Sequence, residues 1–300
     1  MSSLLKAKRH WQEIGFSMLY LVPTLGLFIL FCVYPYLQAF AISFYDWSPF
    51  TATGTFIGLD NYRRLIDDRV VWGAFLNNLF LLFWCTIITF IISIFFAAIF
   101  NRKNYRENNL LKIIFFIPHV LSVTVVAILW TFLYNPSFGI INAGLEAVGL
   151  ESLTRVWLGE RDVIMGAITA PLVWISVGFY MILFYSAMSN VSSEIYESAD
   201  VDGAGEMRMF FSITLPSIWE NIRSALAFFI ISAFNFSFQL VYVMTGGGPN
   251  RASELLTTYQ YETAFRNGDF GYSSAIGMVL FVLTAASVFL VLRATRQKEG

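Results

Sequence analysis

The chain of 300 residues has few charged side chains, few cysteines and few histidines. Charged residues make up 13% of the chain, where about 25% is usual for soluble proteins, and hydrophobic residues make up 57%. A soluble fold of this length still exposes much of its area to water, so it could not hide that much apolar surface. The composition therefore excludes an ordinary soluble domain and favours a chain that lies in lipid.

The same scarcity argues against several functions. Both cysteines, Cys32 and Cys85, lie inside apolar runs, where a disulfide framework or a thiolate metal site is not expected. A net charge of −1 gives no basis for binding nucleic acid. His119 lies in an apolar run without an acidic partner in any run core, which argues against a proton relay. The sequence has no P-loop, metal-ligand cluster or Ser/His/Asp pattern, so we expect no catalytic residue, metal or cofactor on this chain.

Six apolar runs are long enough to cross a bilayer as helices, for which about 20 residues are needed. The first run lies within residues 14–45, and the others are 79–100, 113–134, 163–188, 224–245 and 273–292. We therefore predict an all-α polytopic membrane protein with a short N-terminal segment, 1–13, and one transmembrane domain, 14–300. Pro23, Pro118 and Pro171 lie inside runs and indicate either kinks or simple packing.

Lysine and arginine predict the orientation, because they are enriched on the cytoplasmic side. With the N-terminus inside, 12 of the 19 basic residues fall in inner segments and 7 in outer ones. Both termini are therefore expected in the cytoplasm. A cleaved signal peptide ending near residues 39–41 is an alternative, but the first apolar run is much longer than the usual 7–15 residues.

The inner segment between the fourth and fifth runs, residues 189–223, contains signals for a short helix. Ser192 and Ser193 are suitable N-caps, and acidic residues follow them in the first turn. Asp202 and Gly203 are suited to end the helix, because glycine readily takes the left-handed conformation found there. We expect a helix and a glycine turn, followed by a second helical segment.

The second segment carries apolar side chains at helical spacing: Met207, Phe210 and Phe211. Pro216 is expected to stop it. Such a face could dock into the groove of a partner, or it could lie flat on the membrane surface. The face is not strongly basic, which weakens the second alternative.

Residues 197–216 resemble the EAA loop of bacterial ABC importer permeases, whose pattern is Glu-Ala-Ala, three residues, Gly, nine residues, then Ile-x-Leu-Pro. Every spacing matches here, and Ser198 in place of alanine is the one departure. In that family the loop forms coupling helices that contact a cytoplasmic ATPase. The resemblance implies that 189–223 is a coupling loop and that these residues contact the ATPase: Glu197, Ala199, Asp202, Gly203, Ala204, Met207, Phe210, Phe211, Ile213, Leu215 and Pro216.

Other phrases extend the resemblance over nearly the whole chain. Residues 56–62, Phe-Ile-Gly-Leu-Asp-Asn-Tyr, are similar to the opening of the first outer loop in carbohydrate-type permeases. Residues 245–249, Thr-Gly-Gly-Gly-Pro, are similar to the segment after the fifth span in the larger maltose permease subunit. The large extra outer domain of that subunit is absent. The fold implied is that of a type I ABC importer permease.

A polar stripe in the fifth run predicts a solute path. Ser232, Asn235 and Gln239 share one helical face, which is costly against lipid and should line a cavity or another helix. Aromatic planes and amides together suit a sugar. In the fourth run Trp174, Gly178 and Met181 share a helical face with Tyr185, and Tyr180 lies nearby. The resemblance to the maltose permease implies, by region, that both helices line the sugar site. The predicted path is Trp174, Gly178, Tyr180, Met181, Ser232, Asn235, Gln239 and Tyr242. Hydrogen bonding between helices is the alternative for this stripe.

The resemblance implies a permease subunit of a binding-protein-dependent ABC importer for a sugar or oligosaccharide, working by alternating access. The implied partners are a second permease, a dimer of cytoplasmic ABC ATPases that bind ATP and Mg²⁺, and an extracytoplasmic solute-binding protein. The implied location is the bacterial inner membrane. The alternatives are an importer of glycerol phosphate or another polar solute, and a membrane enzyme or scaffold without a transport role.

Overall fold

The computed structural model describes residues 16, 18, 19, 21–50, 53–102 and 108–296. The helices in this part are α1 (Leu21–Ile42), α2 (Asp60–Asp67), α3 (Arg69–Arg102), α4 (Asn108–Val120), α5 (Val123–Leu133), α6 (Ile140–Ala147), α7 (Arg161–Ser189), α8 (Ser193–Val201), α9 (Glu206–Met209), α10 (Leu215–Ser217), α11 (Trp219–Met244), α12 (Leu256–Phe265) and α13 (Phe270–Ala294). Strands β1 (Tyr45–Asp46) and β2 (Thr55–Phe56) form a small antiparallel ladder.

Five of the described helices are long and apolar enough to cross a membrane: α1, α3, α7, α11 and α13. The pair formed by α4 and α5 passes the same test when taken together, which brings the number of spans to six if the pair counts as one. Each of these elements overlaps one of the predicted runs. The prediction of an all-α polytopic fold is therefore confirmed.

The third run differs from its prediction. A single helix over 113–134, kinked at Pro118, is wrong, since the chain turns by 98° between α4 and α5. The break lies three to four residues beyond the proline, where Ser122 has an extended backbone, with φ −59° and ψ 135°. Serine is favoured at the start of a helix, and the Val126 amide bonds back to the Ser122 carbonyl as a new helix begins. The α7 helix, by contrast, continues through Pro171.

The chain forms two compact units. One contains the described residues within 68–262 and 279–296 and holds most of the spanning helices. An aromatic cluster joins three of them. The ring of Phe90 on α3 lies 5.3 Å from those of Tyr180 and Phe184 on α7, and 5.7 Å from that of Phe229 on α11. All four side chains are buried, so the centre of this unit is a packed core.

The other unit contains the described residues up to 67 together with 263–278. Hydrogen bonds at its centre account for Asn61 and Tyr62, two residues of the segment 56–62 that resembles carbohydrate-type permeases. The buried Asn61 amide donates to the carbonyls of Ser43, at 2.9 Å, and Tyr45, at 3.1 Å. The Tyr62 hydroxyl lies 2.7 Å from that of Ser43. These bonds hold the end of α1 and strand β1 against α2, so Asn61 and Tyr62 have a structural role in the segment between α1 and α3.

The glycine-rich segment 245–249 directly follows the end of α11 at Met244. Gly246 and Gly247 have φ values of 57° and 89°, in the left-handed region that glycine tolerates. Glu254 lies two residues before α12 and is 3% exposed. It forms an ion pair with Arg251 at 3.1 Å. Arg251 also bonds to both carboxylate oxygens of Glu262, at 3.1 and 3.3 Å. This ion-pair network fixes the segment that follows the three glycines.

Candidate functional site: the coupling loop and the solute path

Helix α8 has the ends that its sequence predicts. The Ser192 hydroxyl accepts from the Glu194 amide at 3.3 Å, which makes Ser192 the N-cap. Gly203 follows the C-cap with φ +74°, and the Ala204 amide bonds to the Ala199 carbonyl at 2.9 Å. These bonds satisfy backbone groups at both helix ends. The helix and glycine turn are confirmed.

The second segment of the loop is not stopped by Pro216. Helix α9 passes into a wider π-helical turn, Phe210–Thr214, and then into α10, which contains the proline. The Leu215 amide bonds to the Phe210 carbonyl, five residues back. The wider turn accommodates a residue that has no N–H to donate. The segment ends at Ile218, directly before α11 begins.

The loop exposes an apolar surface, which we call the docking surface and define as Ile195, Val201, Met207 and Phe211. Their exposed fractions are 47%, 88%, 69% and 59%. The prediction that Phe210 points outward with Met207 and Phe211 is corrected, since Phe210 packs against the core of the unit. The wider turn changes the angle between successive side chains, so a regular helical spacing does not hold here.

The remaining loop residues divide by exposure. Glu197, Asp202, Gly203 and Pro216 are exposed, whereas Ala199, Ala204, Ile213 and Leu215 are half-buried. Sequence reasoning missed Val201 and Ile195, although Val201 is the most exposed side chain of the docking surface. An apolar residue in the last turn before Asp202-Gly203 was the available signal. No observation tests the role of any of these residues in binding an ATPase, so that role stays a prediction.

One contact joins the two halves of the loop, and another joins the loop to a spanning helix. The Tyr196 hydroxyl lies 2.9 Å from that of Thr214, which joins α8 to the π-helical turn. Arg102, at the end of α3, forms an ion pair with Glu206 at 3.6 Å. The two halves of the loop are therefore bonded to each other and to a spanning helix, which suits a loop that moves as one body.

The predicted solute-path residues do not all come together. Tyr180 and Ser232 line the same cavity of about 130 Å³, together with Phe228 and His119. The His119 ring bonds to the Ile175 carbonyl at 3.3 Å and stacks on Phe179. At about 30 Å³ per water, this cavity has room for a few water molecules and is too small for a disaccharide.

Trp174 lies elsewhere, on a groove of about 690 Å³ that it shares with Trp84 and Trp130. Gly178 and Met181 are buried between helices. A Cβ atom on Gly178 would lie 2.9 Å from the Phe116 Cα and closer still to the Phe115 carbonyl. Glycine at 178 therefore allows the backbones of α4 and α7 to touch.

The polar stripe of α11 is exposed beyond Ser232. Asn235, Gln239 and Tyr242 all lie on the open face of that helix. The ring of Tyr242 contacts those of Phe238, at 5.8 Å, and Tyr261, at 5.1 Å. Polar side chains on an open face of a spanning helix call for a polar neighbour or an aqueous space. The assignment of the path residues to a solute stays a prediction.

Residues 106–298 match the model of the family described as binding-protein-dependent transport system inner membrane component. The matched range includes all of residues 189–223 and four of the six apolar runs. The chain belongs to this family. It is accordingly a multi-pass component of the inner membrane, as the apolar helices indicate. The location predicted from the sequence is confirmed.

Similar proteins agree with this family. The probable ABC transporter permease protein YurN of Bacillus subtilis is 38% identical over 273 residues, which cover 89% of this chain and 91% of the relative. The diacetylchitobiose uptake system permease protein NgcF of Streptomyces coelicolor is 31% identical over 307 residues, which cover 98% of this chain and 87% of the relative. These relatives confirm the resemblance to ABC importer permeases.

A solved structure shows the same fold. A chain of a bacterial ABC transporter involved in the import of the acidic polysaccharide alginate superposes with a TM-score of 0.83 at 23% identity, covering 97% of this chain and 100% of that one. At this identity the likeness establishes the fold of an ABC importer permease and nothing about the solute.

Proposed function

We propose that this chain is a permease subunit of an ATP-driven, binding-protein-dependent ABC importer for a sugar or oligosaccharide. The observation that carries the proposal is the docking surface: apolar side chains exposed on a bonded loop inside the region that matches the family. ATP and Mg²⁺ would be held by a separate ATPase subunit. The names of relatives support the solute class, since NgcF belongs to an uptake system for diacetylchitobiose.

The docking surface suits the groove of a soluble partner. Val201, Met207 and Phe211 are large apolar groups whose exposure to water is unfavourable, and burial of one phenylalanine contributes about 1.5–3 kcal/mol. Acidic Glu197 and Asp202 are exposed on the same loop. A partner with an apolar groove and a basic rim would match both features.

The polar stripe of α11 supports passage of a hydroxyl-rich solute. Asn235 and Gln239 each offer an amide donor and acceptor, and Tyr242 adds an aromatic face. Because the cavity at Tyr180 and Ser232 is small, a sugar would need further walls, which we assign to a second permease. In this account the solute passes between the two subunits, along the open face of α11.

Alternating access follows from these parts. Closure of the ATPase pair on ATP would move the coupling loop as one body, because the Tyr196–Thr214 bond joins its two halves. The loop continues directly into α11, so its movement would be passed to the helix that carries the polar stripe. The solute-binding protein would deliver the solute from the opposite side.

The test is uptake by the complete transporter. The chain would be expressed together with the second permease, the ATPase and the binding protein that neighbouring genes encode. The complete transporter would then be reconstituted in vesicles. Diacetylchitobiose, maltose and an alginate oligosaccharide would be offered, with glycerol 3-phosphate as the probe of a different solute class. ATP-dependent uptake of at least one sugar is expected. Uptake of glycerol phosphate alone would overturn the solute class, and no ATP-dependent uptake would overturn the transport role.

A matched pair of variants tests the docking surface. Phe211→Ala should weaken binding of the ATPase by about 10–100-fold, from the loss of one buried phenylalanine. Phe138→Ala is the control, because Phe138 is exposed to a similar extent, 65%, in a segment predicted to lie on the other side of the membrane. Titration of the ATPase onto each permease variant in nanodiscs measures the two affinities. Equal affinities for the two variants would refute docking at Phe211.

A further inference from the structure

The first turns of α11 are bonded to the end of α13. The Trp219 indole donates to the Thr295 carbonyl at 2.8 Å. The Arg223 guanidinium donates to the Leu292 carbonyl at 3.1 Å and to the Thr295 hydroxyl at 3.3 Å. Glu220 accepts from Arg223 through both carboxylate oxygens, at 2.6 and 2.7 Å. We call these five residues the helix-end clamp.

The clamp is built around a guanidinium that is mostly shielded from solvent. The Arg223 side chain is 16% exposed, whereas that of Glu220 is 67% exposed. The last carbonyls of a helix have no partner within it, and Leu292 and Thr295 lie at that end of α13. The planar fork of arginine can serve several acceptors at once, and the negative end of the helix dipole favours its charge.

The position of the clamp relates it to the coupling loop. Ile218, where the loop segment ends, is followed directly by Trp219. A displacement of the loop must therefore pass through the residues that are bonded to α13. Trp219 and Arg223 reach the same residue, Thr295, from two successive turns of α11, which restrains rotation as well as separation of the two helices.

We propose that Arg223 is a positioning residue that makes the cytoplasmic end of the last span move together with the coupling loop. The inference rests on the proposed function, because such movement matters only if the loop receives it from an ATPase. Its partners are the acceptors at the end of α13, and Glu220 holds the guanidinium in the orientation that reaches them. A surface ion pair between Arg223 and Glu220 alone would contribute little; the carbonyl and hydroxyl contacts are what join the helices.

A distance measurement tests this without knowledge of the solute. Spin labels are placed at Ser212, in the loop, and at Leu290, which is 61% exposed on α13. The exposed Cys32 is replaced by serine, while the buried Cys85 is left in place. The distance is measured by pulsed electron resonance in the complete transporter with cysteine-free partners, first without nucleotide and then with ATP and vanadate.

With Arg223 present, one narrow distance that is the same in both nucleotide states is expected. In Arg223→Met, the distance with ATP and vanadate should shift by more than the wild-type width or split into two populations. Arg223→Lys should give a smaller shift, because one ammonium cannot serve all the acceptors. Thr295→Val, which removes one acceptor on α13, should shift in the same direction and keeps the test available if Arg223→Met does not assemble.

Arg208→Met is the matched control, since Arg208 is an exposed arginine of the same loop. It should leave the distance unchanged. The proposal is overturned if Arg223→Met and Thr295→Val keep the wild-type distance in both states, or if the wild-type distance itself changes with nucleotide. ATPase co-purification and ATP hydrolysis are recorded on the same samples. Loss of both from the wild type would instead refute the proposed function.

Discussion

A single methyl group at Gly178 should separate the α4 and α7 helices. In Gly178→Ala the new Cβ would meet the Phe115 carbonyl and lie 2.9 Å from the Phe116 Cα. These are backbone atoms, so no side-chain rotation relieves the contact and the two helices must move apart. Overpacking of this kind typically costs about 1–3 kcal/mol.

Helix propensity would raise the stability of Gly178→Ala, whereas overpacking lowers it. A control variant is therefore needed to separate the two effects. Replacing glycine by alanine inside a helix stabilises it by about 0.5–1 kcal/mol. Gly166→Ala on the same helix supplies that gain alone, because nothing lies within 4 Å of its Cβ position. The free energy of unfolding of Gly178→Ala should therefore be about 1–3 kcal/mol below that of Gly166→Ala.

Thiol unmasking provides the assay. Cys85 is 3% exposed and reacts with a maleimide dye only when the core opens, whereas the exposed Cys32 is first replaced by serine. Heating in detergent should give a lower midpoint temperature for Gly178→Ala than for Gly166→Ala. Equal midpoints, or a higher one for Gly178→Ala, would refute the contact. A change in solute uptake at unchanged midpoint would instead support the original prediction that Gly178 lines the path.

Two further predictions concern the other parts of the fold. Asn61→Ala should leave the carbonyls of Ser43 and Tyr45 without their donor, at about 1–3 kcal/mol for each carbonyl, and hydrogen exchange at residues 55–62 should accelerate. Burial raises the pKa of the Glu254 carboxyl above its ordinary 4.5, while Thr258 and Arg251 partly offset the shift. The folded chain then binds more protons than the unfolded one above pH 4.5, so this contribution to stability falls as the pH rises through the raised pKa.

Each of these predictions has its own control. Asn61→Asp keeps the shape of the side chain but lacks its N–H donors. Hydrogen exchange at residues 55–62 that is as slow in Asn61→Asp as in the wild type would contradict the prediction for Asn61. Glu254→Gln removes the titrating group, and the pH dependence of the melting midpoint should be flatter than in the wild type. A wild-type slope in Glu254→Gln would contradict the second.

Local chemistry in the sequence was sufficient for both ends of α8 and for the positions of the apolar runs, but not for the bend in the third run. The Ser192 cap and the turn at Gly203 form as their residue types predict, since both depend on backbone groups within a few residues. The register of the second loop segment was not predictable in this way, because the π-helical turn that directs Phe210 inward depends on the packing of the loop against the spanning helices.

The solute path shows a second property that residue spacing did not predict, namely what a helical face contacts. A periodic reading places Trp174, Gly178 and Met181 on one face of α7, and this is correct as local geometry. What that face meets depends on α4, whose backbone touches Gly178, and on the 98° turn that carries α5 away. Neither is encoded in the spacing of residues on α7. Gly178 and Met181 therefore lie in a packing surface between helices, whereas Trp174 lies on an open groove.

By itself the sequence determined that this chain lies in a membrane as about six apolar helices and carries one loop with a family-specific spacing. Those properties follow from the cost of exposing apolar side chains to water and from short-range backbone chemistry, both of which are summed along the chain. Only the tertiary structure decided which loop side chains remain exposed, where the third span bends, and that Arg223 reaches the end of α13. These depend on contacts between residues far apart in sequence, which no local pattern records.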